Sequence, residues 1–229
     1  MFALESLTRK DPLFARYGVT TQAVTVRQKT LQIAQLDNHA QWLTDLAPAS
    51  EAGSLKIPFW FTIWPASLLL VDFIAAIPPD PGRRWLEIGA GLGICGLFAA
   101  AFGHQVMVTD KEPPAVALIK ASARLNHLTD RMDIKVMDWT IPQTEETYDV
   151  ILASEKVYDP NNIPSLVTFL ERHLPPGGTL YLAKGWDIKG LSFFEALKGD
   201  NRFIWETRER RLRSDDEVHG ANIYTIRKR

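Results

Sequence analysis

From Trp85 onward, short apolar runs alternate with longer stretches whose apolar residues recur every three or four positions. The runs at 85–88, 105–109, 132–137, 148–153, 179–183, 203–207 and 222–226 read as strands. Between them, 94–102, 113–126, 161–173 and 188–197 carry helical spacing. Another helix, 67–77, lays Leu68, Leu69, Val71, Phe73 and Ile74 on one face, with Pro65 in its first turn, where a missing N–H costs nothing. Regular strand–helix alternation predicts an α/β fold, a doubly wound sheet with helices on both faces.

The first third is patterned differently. Residues 11–17 suggest a short helix or loop, and 23–26 with 31–34 flank a turn as a β-hairpin. Asn38 caps a helical stretch through 47, and 48–53 is a linker of small residues. The expected division is an N-terminal extension, 1–55, packed on a main domain, 56–229. An aromatic-rich segment, 58–66, precedes the helix at 67. Most of its rings belong in a core, but Trp64 sits just before the helix start, at the rim of the sheet. The apolar tract 57–77 approaches membrane-spanning length, yet Pro65 and Asp72 interrupt it and a span needs ~20 predominantly apolar residues. The first ten residues are charged and lack the apolar segment of a secretory signal.

One stretch carries chemistry. The strand at 85–88 holds an acid, Glu87, and runs into Gly89-Ala90-Gly91-Leu92-Gly93 before the helix at 94. Glycines there let the backbone turn tightly and let a ligand lie almost on the main chain. The next strand ends at Asp110, about 20 residues past the first glycine, where an acid accepts hydrogen bonds from ribose hydroxyls. A dinucleotide fingerprint requires G-x-G-x-x-G, and here the third glycine arrives one residue early, with Ile94 in its place. Later strands deliver Asp138-Trp139, an acid for an exocyclic amine beside an indole for a purine face, and Glu155-Lys156-Val157-Tyr158 at the carboxyl edge of the sheet.

Composition narrows the field. A chain of 229 residues with 46% hydrophobic content can bury a full core, and a net charge of −1 offers no basic excess for tracking phosphates. A single cysteine, Cys95, forms no internal disulfide and suits a reducing cytoplasm; its place after the glycine loop suits a small buried residue better than a nucleophile. The five histidines show no metal-ligand spacing and read as turn or surface residues. Arg208 to Arg213 is basic, but Glu209 and 215–217 offset it, so a solvated turn is expected there.

Taken in order, Trp64-Pro65-Ala66, Glu87 to Gly93, Asp110, Asp138-Trp139 and Glu155-x-x-Tyr158 resemble the seven-β-strand protein-lysine methyltransferases, within the class I enzymes that use S-adenosylmethionine (SAM). The similarity covers roughly residues 56–229. It implies a mostly parallel seven-stranded, Rossmann-like sheet with the last strand inserted antiparallel, SAM as cofactor and S-adenosylhomocysteine (SAH) as product. It also implies cofactor contacts from Trp64, Glu87, Gly89, Gly91, Gly93, Asp110, Asp138 and Trp139, and catalytic roles for Glu155 and Tyr158. The Asn/Asp-Pro-Pro-Tyr loop of exocyclic-amine methyltransferases is missing. The expected function is methylation of a protein lysine by a cytoplasmic monomer that needs no metal, nucleic acid or membrane. Two alternatives stay open: methylation of a small-molecule amine, and a non-catalytic nucleotide-binding or interaction module. Glu155 and Tyr158 speak against the second, since a binder has no need of an acid and an aromatic at the reactive edge.

Overall fold

A computed structural model describes residues 2–46, 58–141, 144–156, 159–186, 191–198, 200–214 and 217–229. The linker expected at 48–53 lies outside these residues. Two helices, α1 (Phe2–Lys10) and α2 (Pro12–Tyr17), open the chain, and Asp11 caps the second by accepting the Leu13 N–H at 2.8 Å. The expected hairpin follows as β1 (Val19–Val26) and β2 (Lys29–Leu36), longer than its apolar core suggested, and then α3 (His39–Leu46).

The main layer order is α4 (Pro65–Ile74), β3 (Arg84–Glu87), α5 (Ile94–Ala101), β4 (Gln105–Asp110), α6 (Pro113–Leu125), β5 (Met132–Val136), β6 (Val150–Ser154), α7 (Ile163–His173), β7 (Thr179–Gly185), α8 (Leu191–Lys198), β8 (Phe203–Ser214) and β9 (Glu217–Lys228). The seven strands pair as β5-β4-β3-β6-β7-β9-β8. The first five are parallel, and β9 enters antiparallel between β7 and β8, as the family resemblance implies.

Successive strand residues point to opposite faces, and the core divides accordingly. Trp85, Val106, Val108, Val150 and Leu152 pack with α4, α5, α6 and the N-terminal hairpin. Leu86, Ile88, Ile151, Ala153 and Leu180 pack with α7 and α8 on the other side. The hairpin docks through α6: the Ala34 N–H donates to Ser122 Oγ at 2.9 Å, and Asn126 exchanges two 2.8 Å bonds with the backbone of Gln32. Asn126 thus treats the edge of β2 as a strand neighbour would.

Residues 2–10, on whose structure the sequence pattern made no statement, form helix α1. Two sequence expectations fail. Arg208 to Arg213, expected in a solvated turn, lies inside β8, whose side chains there are mostly exposed. Beyond the pair Gly185–Ala221, four further β8–β9 pairs run past the end of β7, so the ribbon overhangs the carboxyl edge by ~13 Å. His104 and His173, read as turn or surface residues, are fully buried. The first stacks on Trp85 at 3.9 Å, and the second bonds the Glu146 carbonyl at 2.8 Å through Nδ1.

Candidate active site

The site grows out of the turn between β3 and α5. Gly89, Gly91 and Gly93 have φ of 56, 58 and 73°, the left-handed region that a Cβ disfavours. Their bare faces have different neighbours. A Cβ on Gly93 would stand 2.9 Å from Ile119 Cγ1, so that glycine serves the packing of α5 against α6. At Gly91 a Cβ would meet the Trp60 carbonyl oxygen at 3.0 Å, and at Gly89 the Lys156 side chain at 2.8 Å.

Glu87 turns inward. Gly93 offers α5 no capping side chain, and Glu87 fills that role from β3 by accepting the Gly96 N–H at 2.7 Å. Burial raises its pKa from 4.5 to about 7, outweighing the opposing help of the Gly96 N–H, Cys95 and Lys156. Cys95 lies buried beside it, its thiol pKa pushed up by burial and then by the Glu87 charge. Glu87 therefore positions the helix start behind the loop.

Asp110 closes the loop from β4. Its Oδ2 accepts the Gly91 N–H at 2.7 Å and its Oδ1 accepts the Glu112 N–H at 2.9 Å. A carboxylate has about four lone-pair sites, so the pinned group keeps acceptor capacity for two hydroxyls. Asp138 accepts both the backbone N–H and the hydroxyl of Thr140 through Oδ1, at 2.9 and 2.7 Å. Trp139 is 9% exposed and belongs to the core on the α7 side, leaving little ring face for a base.

At the carboxyl end of β6, Glu155 has φ 55°, an unusual conformation for a residue with a side chain, costing ~1–2 kcal/mol. Two bonds to β7 hold it there: its N–H donates to the Ala183 carbonyl at 3.0 Å, and its Oε1 accepts the Gly185 N–H at 2.9 Å. Tyr158 lies outside the described residues. Trp64 precedes α4, 37% exposed, with its indole N–H donating to the Phe59 carbonyl at 3.1 Å. The Cys95 thiol donates to the Ser67 carbonyl at 3.8 Å, so α4 and α5 start side by side. The backbone of Trp60 and the side chain of Lys156, both touching the loop, were missed by sequence reasoning.

Bare glycines, a pinned acid with spare lone pairs and a strained acid on the neighbouring strand end suit a nucleoside bearing a reactive group. A family model described as lysine methyltransferase matches residues 60–200. The chain belongs to the lysine methyltransferase family. Among curated relatives, Protein N-lysine methyltransferase METTL21A of Danio rerio is 33% identical over 164 residues, covering 69% of this chain and 70% of its own length. EEF1A lysine methyltransferase 3 of Mus musculus is 32% identical over 173 residues, 73% of this chain and 72% of that one. In fold, the enzyme resembles P. horikoshii TYW2 in complex with MeSAdo, with TM-score 0.58 and 18% identity across 92% of this chain and 72% of that one. This methyltransferase uses SAM as its cofactor. The donors present fit that molecule: the glycine cradle and Asp110 supply the close backbone approach and the acceptors that an adenosine ribose requires. Among the described residues there is no cluster of metal-binding side chains, and no helix is long and apolar enough to cross a membrane.

Proposed function

We propose that the enzyme methylates a lysine side chain of a protein substrate, with Glu155 as the group that receives the amine. The observation carrying this reading is the placement of Glu155: a strained acid held by Ala183 and Gly185, one strand away from the glycine loop. Relatives at 32–33% identity bear the names of protein lysine methyltransferases.

SAM, when bound, supplies a methyl group on a cationic sulfonium. The rest falls to the chain. Asp110 would hold the ribose hydroxyls, Asp138 the exocyclic amine of adenine, and the backbone at Gly89 the close approach. A lysine enters as an ammonium with an ordinary pKa of ~10.4 and must lose a proton before it can attack. Glu155 orients that ammonium and accepts the proton, directly or through water. Its bond from the Gly185 N–H fixes the carboxylate against β7. Trp64 offers an exposed ring to a cation, an interaction of ~0.5–2 kcal/mol. Tyr158 has the same role on the strength of the Glu155-x-x-Tyr158 spacing alone. Displacement at a sulfonium needs alignment and dryness above all, so positioning supplies most of the acceleration.

The test is to incubate the enzyme and methyl-labelled SAM with lysate from cells lacking it. Label is expected on lysine side chains in a few protein bands. Label confined to small metabolites would favour a small-molecule amine as substrate, and label in RNA would exclude both.

A further inference from the structure

The chain places a cation of its own in the cofactor cleft. Glu155 is anchored to β7, on one side of β6, through Ala183 and Gly185. The next residue, Lys156, reaches to the other side, over the loop that follows β3. Measured from the position a Cβ would take on Gly89, Lys156 Cε stands at 2.8 Å, Nζ at 3.0 Å and Cδ at 3.1 Å. The last three atoms of the lysine therefore lie flat on the bare glycine, filling the space its missing side chain leaves. Open clefts of about 310 and 220 Å³ lie elsewhere, one at the amino edge around Arg84 and Gln105, the other over β4 and β5 around Met107 and Lys135.

Burial works against the charged form of Lys156 and lowers its pKa overall, while the charges of Asp110, Glu87 and Glu155 act the other way and favour it. Asp110 and Glu155, on the strand ends flanking the loop, attract a positive charge, with Glu87 contributing from behind it. The cofactor brings two, a sulfonium and an α-ammonium, and the glycine cradle is where its backbone approach must occur.

We propose that Lys156 is a resident counter-ion of the cofactor cleft, lying on Gly89 until SAM or SAH arrives, and exchanged for the cofactor's own cationic groups. A ligand on Gly89 and the lysine in this place exclude each other sterically, so binding moves the side chain outward. Lysine suits the task because its four-carbon stem swings without backbone change and regains rotamer freedom on leaving. The cleft never holds bare converging carboxylates, and the cofactor must compete with an internal occupant. This inference rests on the function proposed above and concerns the same cleft.

Calorimetric titration of SAH, which has no net charge, into wild type, Lys156→Met and Lys156→Ala tests it. An occupant present nine-tenths of the time weakens apparent affinity about tenfold, so Lys156→Ala is expected to bind SAH about tenfold more tightly than wild type. Lys156→Met, keeping the apolar stem without the charge, is expected between the two. Unchanged affinity in Lys156→Ala overturns the exchange, and so does weaker binding, which would make the lysine a partner of the cofactor carboxylate. If Lys156→Ala shows no cooperative thermal transition, Lys156→Met decides by the same criterion. Wild type that binds neither SAM nor SAH overturns this inference together with the proposed function; wild type that binds both, with variants no tighter, overturns this inference alone.

Discussion

Replacing Glu87 by Gln isolates the cost of a buried charge behind the cofactor loop. Glu87 is 3% exposed and its pKa stands near 7 in the folded protein against an ordinary 4.5. The folded state holds the proton more tightly than the unfolded chain. The carboxyl's contribution to stability is therefore fully present below 4.5 and is lost as pH rises through about 7. At 1.36 kcal/mol for each tenfold difference in proton affinity, the whole loss is on the order of 3 kcal/mol. Glutamine keeps the shape and an acceptor for the Gly96 N–H, which sits 2.7 Å from the Glu87 oxygen, and carries no charge to desolvate. Urea denaturation of cofactor-free protein should give wild type and Glu87→Gln similar stability near pH 4.5. At pH 8 the variant should be the more stable, by roughly 2–3 kcal/mol. Comparing the two proteins at each pH cancels the titration of every other group. Stability curves that stay parallel from pH 4.5 to 8 would falsify the claim that burial, rather than the Gly96 bond or the Lys156 charge, dominates at Glu87.

Other substitutions probe other parts. Asp110→Ala should weaken SAH binding by at least about tenfold, the worth of hydrogen bonds to a charged acceptor, whereas Glu155→Gln should abolish transfer with SAH affinity nearly unchanged; calorimetry beside a methyl-transfer assay separates the two, and the reverse pattern would interchange their roles. Asn126→Ala removes both bonds to the Gln32 backbone and should cost ~1–3 kcal/mol in urea denaturation; no measurable loss would mean that apolar packing alone docks the hairpin. His104, buried on Trp85, has its pKa lowered below 6.5 by burial. Its stabilising contribution is thus present above 6.5 and lost as pH falls through the lowered value, and His104→Phe should flatten the acid side of the stability curve between pH 7 and 5.

The parallel core was legible because strands covered on both faces must be largely apolar, and β3, β4, β6 and β7 appear in the chain as such runs, whereas the edge strand β5 alternates apolar residues with Asp133 and Lys135. The glycine loop and Asp110 were legible for a related reason: a tight strand-to-helix turn admits few residues, and its spacing separates one nucleoside from another. At β8 the same logic fails. Most of Arg208 to Arg213 faces solvent at the sheet edge, so only Leu212 marks the strand as apolar, and the run of charges looks like a turn. Histidine is ambiguous in a different way, since an imidazole with its charge suppressed packs as an aromatic ring, as His104 does on Trp85. Trp139 was read as an indole for a purine face because of the motifs that precede it, and its burial is a fact of tertiary packing. Lys156 was passed over because it fills a variable place in Glu155-x-x-Tyr158; its contact with Gly89 depends on the left-handed turn at Glu155, which no side chain advertises.

The two bonds between Asn126 and Gln32 span 94 residues of chain. During synthesis the hairpin can zip early, because Val19 pairs with Leu36 and every other pair is more local still. Its apolar face, with Val24, Leu31 and Ile33, then has no α6 to cover it, and a lone two-stranded ribbon is marginal in water. At roughly 5–20 residues per second, some seconds to tens of seconds pass before the ribosome releases Asn126. For that interval the free edge of β2 is open to any other extended segment, so the earliest part of the chain to acquire structure is among the last to be protected, and nascent-chain binding factors would find their foothold there first.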